Sequence, residues 1–375
     1  MKKRIVFFIG GSYVSGLEII TLHLIKELKQ KGHEIYCVIS GWNDGVFKGK
    51  LEDIDVPFEE VKLGWVYFTK PMWTLNTLLH YPSALITSRK VFKRFKPDVC
   101  HFSHYGAVVM LYPILKNNCV FGLHDPELPT RKNNFLFKLV NKKTQFFTGV
   151  SKYITNALKG FAIPEEKIRL VYNGIPSKKE LIAQRSPGAI ISFGIIGQIV
   201  PWKGHETLLD SVDLLVKAGV SNFKVLIFGN NKNEYAQKLD GLIASKQLSD
   251  YFIWKGFVVD QYKIYEEVDA VVVPSLSQEP CSLSIIESMM FRKAVIVSDR
   301  GGNTELVQHE SNGLVFPAGD ADKLSMYMRQ LIEDKVLLNK LAHAAHQKAS
   351  VDFVVERMGN EYDMIYDETI KRNNC

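Results

Sequence analysis

The stretch Arg4-Ile5-Val6-Phe7-Phe8-Ile9-Gly10-Gly11-Ser12-Tyr13-Val14-Ser15-Gly16 opens the pattern on which the fold turns. Ile19, Ile20, Leu22, Leu24, Ile25 and Leu28 follow it at helical spacing, and Glu34 to Ser40 returns to an apolar run. Residues 4–9 read as a buried strand, 10–16 as a Gly-rich turn, the periodic segment as an amphipathic helix stopped by Gly32-His33, and 34–40 as a second strand. Strand, turn, helix and strand in this order make one βαβ unit of a parallel sheet.

The same alternation continues. Asp98 to Ser103, Cys119 to Leu123 and Gln145 to Val150 are strand candidates, each followed by turn residues or a helical stretch. After a helix ending near Gly160, Asn173-Gly174-Ile175-Pro176 and the polar residues from Ser177 to Gly188 form a linker. The pattern then restarts with Ala189 to Gly197, Lys224 to Gly229, Tyr251 to Val258, Asp269 to Pro274 and Ala294 to Ser298, separated by helical segments. Helices from about Ala321 and from about Phe353 to Ile370 close the chain. The fold class is α/β, with two Rossmann-like doubly wound domains facing a cleft: residues 1–177, residues 178–352, and a last helix over 353–375 that crosses back to the first domain. In parallel sheets of this kind ligands bind beyond the carboxyl ends of the strands, so the chemistry belongs in the loops that follow them.

Composition agrees with a folded protein. The chain has 375 residues, 46% of them apolar, aromatic or Cys and 23% charged, which excludes disorder and fibrous structure. The longest apolar runs fall short of the ~18–20 residues that cross a bilayer. Met1-Lys2-Lys3-Arg4 before an apolar run mimics a signal peptide, but Gly10-Gly11 ends the run too early, so the chain is read as cytoplasmic. Cys37, Cys100, Cys119, Cys281 and Cys375 show no CxxC spacing and read as reduced, structural thiols. The net charge of +7 conceals an asymmetry: residues 1–178 carry 26 Lys and Arg against 14 Asp and Glu, and residues 179–375 carry 21 against 26. The basic half faces something anionic, with nucleic acid, an anionic membrane and an acidic substrate all open on charge alone.

Several loops carry candidate chemistry. Gly10, Gly11 and Gly16 do not make G-x-G-x-x-G, and no acid ends the second strand, so a dinucleotide fingerprint is absent. Ser275 to Met290 is more informative. Glu279 falls in a loop after a strand, and Glu287 is placed two turns into the next helix. The N–H groups of Ser282, Leu283 and Ser284 at the start of that helix suit a diphosphate. Two carboxylates eight residues apart on a helix would be ~12 Å apart, too far for the ~5 Å couple of a retaining glycosidase. They fit hydroxyls on either side of a diphosphate, the shape of a nucleotide-sugar. Gln198 and Lys203 lie in a strand-to-helix loop where a Lys can clamp phosphate. Asp53-Ile54-Asp55 and Asp320-Ala321-Asp322 have D-x-D spacing in the wrong context, Asp320 reading instead as a helix cap. His101 and His104 lack the further ligands of a metal site, and no metal is assigned.

Taken in order, these pieces resemble the family-four retaining glycosyltransferases, or glycosyl transferases group 1, of the GT-B fold. Gly16-Leu17-Glu18, Lys31 to Ile35, Val150 to Gly160, Lys167 to Ile175, Gly197 to Gly204, Gly256-Phe257-Val258, Glu279 to Glu287, Gly301 to Glu305 and Asn312-Gly313-Leu314 carry the resemblance nearly end to end. It implies an acceptor-binding first domain and a second domain that binds a nucleotide-sugar co-substrate without metal or other cofactor. It implies transfer of a hexose-type sugar to a hydroxyl of a saccharide or lipid-linked saccharide, as in cell-surface polysaccharide or glycolipid synthesis. Carried over by position, Glu279 touches the transferred sugar near the reacting carbon and His124 reaches the donor sugar. Glu287 binds the ribose, Lys203 the diphosphate, the backbone around Val258 the base, and Gly16 lies in the first-domain loop open to substrate. Many members of the family carry Arg where this chain has Gln198, and a neutral amide does not replace a guanidinium on a diphosphate. A non-catalytic nucleotide-sugar-binding protein and an epimerase of the same architecture are the alternatives.

The basic first half adds a further expectation. Ser83 to Pro97 carries Arg89, Lys90, Lys93, Arg94 and Lys96 beside Leu85, Phe92 and Phe95. Arg131 to Lys143 carries five cations beside Phe135, Leu136, Leu139 and Val140. Both read as cationic amphipathic helices for an anionic leaflet, with Trp65, Tyr67, Phe68 and Trp73 upstream as interface residues, or else as helices whose apolar positions are core and whose cations form a solvated face. The enzyme is expected to be peripheral at the inner face of the membrane. No nucleic-acid motif accompanies the charge.

Overall fold

A computed structural model describes residues 1–63, 71–177 and 188–374. The chain forms two compact units, Met1–Pro176 with Val355–Cys375, and Ser177–Val354. Trp65, Tyr67, Phe68 and most of the polar linker lie outside the described residues.

The first unit runs β1 (Arg4–Ile9), α1 (Gly16–Gln30), β2 (Glu34–Ser40), α2 (Val46–Glu52), β3 (Phe58–Val61), α3 (Pro71–Phe95), β4 (Val99–Phe102), α4 (Tyr105–Leu111), β5 (Cys119–Leu123), α5 (Arg131–Lys143), β6 (Thr144–Gly149), α6 (Lys152–Lys159) and β7 (Ile168–Leu170). Its seven strands form one parallel sheet in the order β3-β2-β1-β4-β5-β6-β7. Ile5 to Ile9 are buried throughout, as expected of a central parallel strand covered on both faces. On α1, Leu24, Ile25 and Leu28 turn inward, each burial contributing about 2 kcal/mol. Gly32, at φ +87°, supplies the left-handed residue that ends this helix.

The second unit runs β8 (Ile191–Ile196), α7 (His205–Lys217), β9 (Phe223–Phe228), α8 (Glu234–Ser245), β10 (Phe252–Gly256), α9 (Gln261–Glu267), β11 (Ala270–Val273), α10 (Leu283–Met290), β12 (Ala294–Ser298), α11 (Asn303–Leu306), β13 (Leu314–Phe316), α12 (Ala321–Glu333) and α13 (Lys335–Asp352). Its parallel sheet has the order β10-β9-β8-β11-β12-β13. Phe193, Val225, Val272 and Ile296 from four of its strands meet Leu209, Leu239 and Met328 from the covering helices in one core. Strand order reverses between β8 and β11, and a crevice opens at such a switch point. The loops after these two strands hold Gln198, Lys203 and Glu279.

The last helix, α14 (Val355–Asn374), packs in the first unit. Val355 N donates to Ile175 C=O at 2.9 Å, and the buried Lys3 ammonium is held by Asp363 and, at 3.0 Å, Asp367. Tyr366 and Tyr362 bond to His101 and Thr148 at 2.8 and 3.0 Å.

Three strands and three helices were not anticipated from the sequence: β3, β7, β13, α2, α11 and α13. The strands are edge elements of three or four residues, too short for a period to emerge. Cys37, Cys100, Cys119 and Cys281 are buried thiols outside any disulfide; burial pushes the Cys100 thiol up to about 12. Asp320 caps α12, its carboxylate accepting from Lys323 N at 2.8 Å. Among the described residues no helix is long and apolar enough to cross a membrane.

Candidate functional site

In the second unit the loops after β8 and β11 are locked together through the backbone. Gly204 has φ +76°, and a Cβ there would fall 1.8 Å from the carbonyl oxygen of Pro274, so both conformation and space demand glycine. Leu276 N donates to Trp202 C=O at 2.8 Å. A second glycine pair fixes Glu279: Gly302 N donates to its carbonyl at 2.7 Å, and a Cβ on Gly301 (φ +56°) would lie 2.2 Å from that oxygen. These constraints bring the two side chains together. Lys203 Nζ stands 2.6 Å from Glu279 Oε1 and 4.3 Å from the centre of the Trp202 ring. Ser275 Oγ donates to the same carboxylate oxygen at 2.5 Å, and Ser298 Oγ fixes the Ser275 carbonyl at 2.7 Å. Glu279 is 4% exposed, so its charge depends on these partners. His205, the next residue but one after Lys203, is buried, and burial with the neighbouring ammonium lowers it to about 4.

Downstream of Glu279, Ser282 is the N-cap of α10 and makes no side-chain cap. Its Oγ lies 3.1 Å from Ser284 Oγ, which leaves the first-turn amides of Leu283 and Ser284 without a capping oxygen from it. Glu287 is the fifth residue of this helix, little more than one turn in rather than two, because the helix starts at Leu283 and not near Pro280. Its carboxylate is nearly buried and is oriented by α9: Gln261 Nε2 donates to Oε1, and Tyr265 OH to Oε2 at 3.3 Å. Burial and the Glu287 charge drive the Tyr265 phenol well above its ordinary range, so it stays a donor. Val258 follows β10 between the exposed Phe257 and Val259, on a segment whose start is fixed by Gly229 N donating to Gly256 C=O at 2.9 Å. Gln198 stands exposed at the start of its loop.

The first unit contributes two predicted residues. Gly16 is the exposed first residue of α1, behind a capping box in which Ser15 N and Oγ bond Glu18 Oε2 at 2.9 and 2.5 Å. The same Glu18 explains Gly11, where a Cβ would fall 2.1 Å from Oε1. His124 follows β5. A Cβ on Gly122 would come within 3.3 Å of His124 Nε2 and Thr148 Oγ1 and 3.4 Å of His101 Nε2, so this glycine makes room for three polar side chains. Burial lowers His124 to about 4, and burial together with His124 lowers His101 to about 3. Both imidazoles are therefore neutral at pH 7 and can accept or donate one hydrogen bond at each nitrogen. An open cavity of about 300 Å³ lies beyond β2 and β3, lined by Gly41, Glu60, Lys62, His80, Ser83 and Thr87.

On the two cationic helices several of the apolar residues named from the sequence pack into the first unit. Phe92 packs on Phe8 and Phe95 on Tyr36, so these two rings face the sheet, while Leu85 is half-buried. Arg94 is engaged by Tyr36 OH and lies 3.5 Å from Glu59. On α5, Val140 is buried in the unit's core and only Phe135 among the named apolar residues is well exposed. Sequence reasoning did not single out Gln261, Tyr265 or Ser275 as partners of the two glutamates: Gln261 and Tyr265 act from α9, whose position only the fold supplies, whereas Ser275 stands four residues before Glu279 in the same loop.

Two parallel α/β units, with a Lys–Glu pair at the second sheet's switch point, define a glycosyltransferase fold of the GT-B type. A family model for Glycosyltransferase Family 4 matches residues 14–179, and one for Glycosyl transferases group 1 matches residues 177–349. The chain belongs to this glycosyltransferase family. It is 23% identical to the N-acetyl-alpha-D-glucosaminyl L-malate synthase of Bacillus anthracis, over 97% of this chain and 95% of that one. Among solved structures it is similar to a glycosyltransferase from Rickettsia africae, with TM-score 0.83, 19% identity and 99% of each chain covered. It is also similar to Anabaena Alr3699/HepE in complex with UDP and glucose, with TM-score 0.81, 19% identity and coverage of 97% and 99%.

Proposed function

We propose that the protein transfers a hexose-type sugar, with retention of configuration, from a nucleoside diphosphate sugar to a hydroxyl of a saccharide or lipid-linked saccharide in the synthesis of a surface polysaccharide or glycolipid. The observation that carries this reading is the Lys203–Glu279 pair at the switch point of the second sheet, next to the α10 N-terminus. In the proposed complex the diphosphate takes Lys203 and the first-turn amides of α10, while sugar hydroxyls take Glu279. Glu287 accepts from the ribose and the backbone around Val258 meets the base. As the bond to the anomeric carbon breaks, charge builds on the diphosphate, where Lys203 and the helix dipole are already aimed. We favour same-face attack assisted by the leaving phosphate over a covalent glycosyl-enzyme. His124, neutral at pH 7, is proposed to hydrogen-bond the donor sugar, and the Gly16 loop to approach substrate. No metal is needed in this scheme, so a chelator leaves the rate unchanged.

The Anabaena complexes with UDP and with UDP-glucose make UDP-sugars the first donors to try. Release of nucleoside diphosphate from UDP-, GDP- and ADP-sugars, with and without saccharide acceptors, is the test. Acceptor-dependent release with an α product from an α donor supports the proposal; an inverted product refutes retention. The exposed Gln198 favours one second reading, a protein that binds donor without transferring it, for which tight binding would accompany no release with any acceptor.

A further inference from the structure

The open cavity beyond β2 and β3 has a size at the lower end of small-molecule pockets. Its walls come from Gly41 after β2, from Glu60 to Lys62 at the end of β3, and from His80, Ser83 and Thr87, which recur at helical spacing along one flank of α3. Most of its polar groups are uncommitted. Among the described residues the Lys62 ammonium and the Ser83 and Thr87 hydroxyls have no ion pair or hydrogen bond. Elsewhere in helices, Thr21, Ser211, Ser288 and Thr369 each return the hydroxyl to the carbonyl four residues back. His80 Nδ1 donates to Asn76 C=O at 2.8 Å, which leaves Nε2 for a ligand. Glu60 differs, since Lys48 takes one of its oxygens at 2.8 Å and Asn43 the other at 3.3 Å. The cavity wall therefore carries one unmatched charge, that of Lys62. A Cβ on Gly41 would fall 2.8 Å from Lys62 Cγ, so this glycine lets the lysine stem lie across the end of β2. Asp44 N donates to Ser12 C=O at 3.0 Å and ties the loop after β2 to the Gly-rich loop after β1.

We infer that this cavity binds the acidic group and adjoining hydroxyls of an anionic saccharide, the acceptor of the proposed reaction. Lys62 takes the carboxylate or phosphate, and Ser83, Thr87 and His80 Nε2 take hydroxyls. An acyl chain or an aromatic base would strand these four polar groups, for Val61 and Ala84 are the apolar residues of the lining. A nucleoside diphosphate brings more charge than one ammonium answers. A hard metal ion finds a single carboxylate, already held by Lys48. The excess of 26 Lys and Arg over 14 Asp and Glu in residues 1–178 draws an anion toward this unit. The role of acceptor rests on the transfer reading; the binding does not.

The test is a saturation-transfer NMR titration of the full chain with methyl β-glucuronide, glucose 6-phosphate and methyl β-glucoside. At least one acid is expected to bind ten times more tightly than the neutral glucoside, and the two acids tell a carboxylate from a phosphate. Lys62→Gln should remove that preference, and Ser83→Ala/Thr87→Val should weaken every sugar at least threefold. Lys62 and Ser83 are exposed, so these substitutions keep the fold, which circular dichroism checks. Lys90→Gln, on the same helix but outside the cavity, should change nothing. No binding of either acid, equal binding of acid and neutral sugars, or a preference that survives Lys62→Gln would overturn the inference. So would a preference lost in Lys90→Gln. Acid bound through Lys62 with no nucleoside diphosphate released in transfer assays would strike the transfer reading and leave the site. Release with neutral saccharides and not with acidic ones would overturn the acidic acceptor and leave the transfer reading.

Discussion

Glu279 and Lys203 satisfy each other at 2.6 Å in the structure, yet each is assigned a different part of the donor. In the proposed complex, binding exchanges one set of charge partners for another: the ammonium would turn to phosphate and the carboxylate to hydroxyls, with Ser275 on Oε1. The two residues should therefore fail differently. Glu279→Gln keeps the shape and a hydrogen bond but removes the charge near the reacting carbon. Transfer should fall at least about 10²-fold, while affinity for the nucleoside diphosphate holds or rises because Lys203 is no longer shared. Lys203→Ala should weaken the diphosphate by about 1.5–3 kcal/mol, the worth of a charged hydrogen bond, and barely affect the free nucleoside. Titration calorimetry with nucleoside and nucleoside diphosphate checks both. Equal losses in the two variants would mean that the pair only holds the loop together.

At the scale of elements, α9 meets α10 through Glu287. Gln261 and Tyr265 occupy both oxygens of Glu287, so their effect on nucleotide binding should pass through that carboxylate. Tyr265→Phe combined with Glu287→Gln should show a coupling of about 0.5–3 kcal/mol in a double-mutant cycle of nucleotide affinity. Additive losses would show Tyr265 acting elsewhere. The sequence made one side of this arrangement legible. Glu279, Glu287 and the helix start between them are local in the chain, and Lys203 lies in a loop of its own after a strand, so each spacing carries meaning. Gln261 and Tyr265 were not legible, because nothing in a short helix after an edge strand says which carboxylate it will meet. The same limit explains α3. Cationic and apolar residues were seen to share a helix, with a leaflet and the core both open as the place of the apolar ones; Phe92 and Phe95 turn to the sheet side and the exposed cations turn outward. A period of 3.6 shows that two faces exist and not which one a neighbouring sheet covers. The central strands were plain because continuous apolar runs mark full burial, whereas β3, with two glutamates in four residues, leaves no such mark.

For the whole molecule, α14 makes the first unit discontinuous in sequence: the chain leaves at Pro176, builds the second unit, and returns at Val355. What it returns to is polar. His101 lies buried under Tyr366, and Lys3 under Asp363 and Asp367, so the closing of this unit rests on groups whose protonation matters. His101 is lowered by burial and then by His124, to about 3, so above pH 6.5 it is neutral folded and unfolded and contributes no pH dependence. Between pH 6.5 and about 3 the unfolded chain binds the proton and the folded one does not, so stability falls as pH falls through that window. Asp363 is pushed up by burial but more strongly down by the Lys3 hydrogen bond and charge and by His33. Its contribution is present above the ordinary Asp pKa and is lost only at more acid pH. Two phases should follow, the histidine phase first. The thermal midpoint of the first unit should drop between pH 7 and 4, and His101→Gln, which can still bond the Tyr366 hydroxyl, should make that drop shallower, with His124, His104 and His33, each also lowered by burial, carrying the rest and the more acid phase left in place. Calorimetry across this range on both proteins decides it, and an unchanged slope in His101→Gln would show that the imidazole is not held neutral beneath α14.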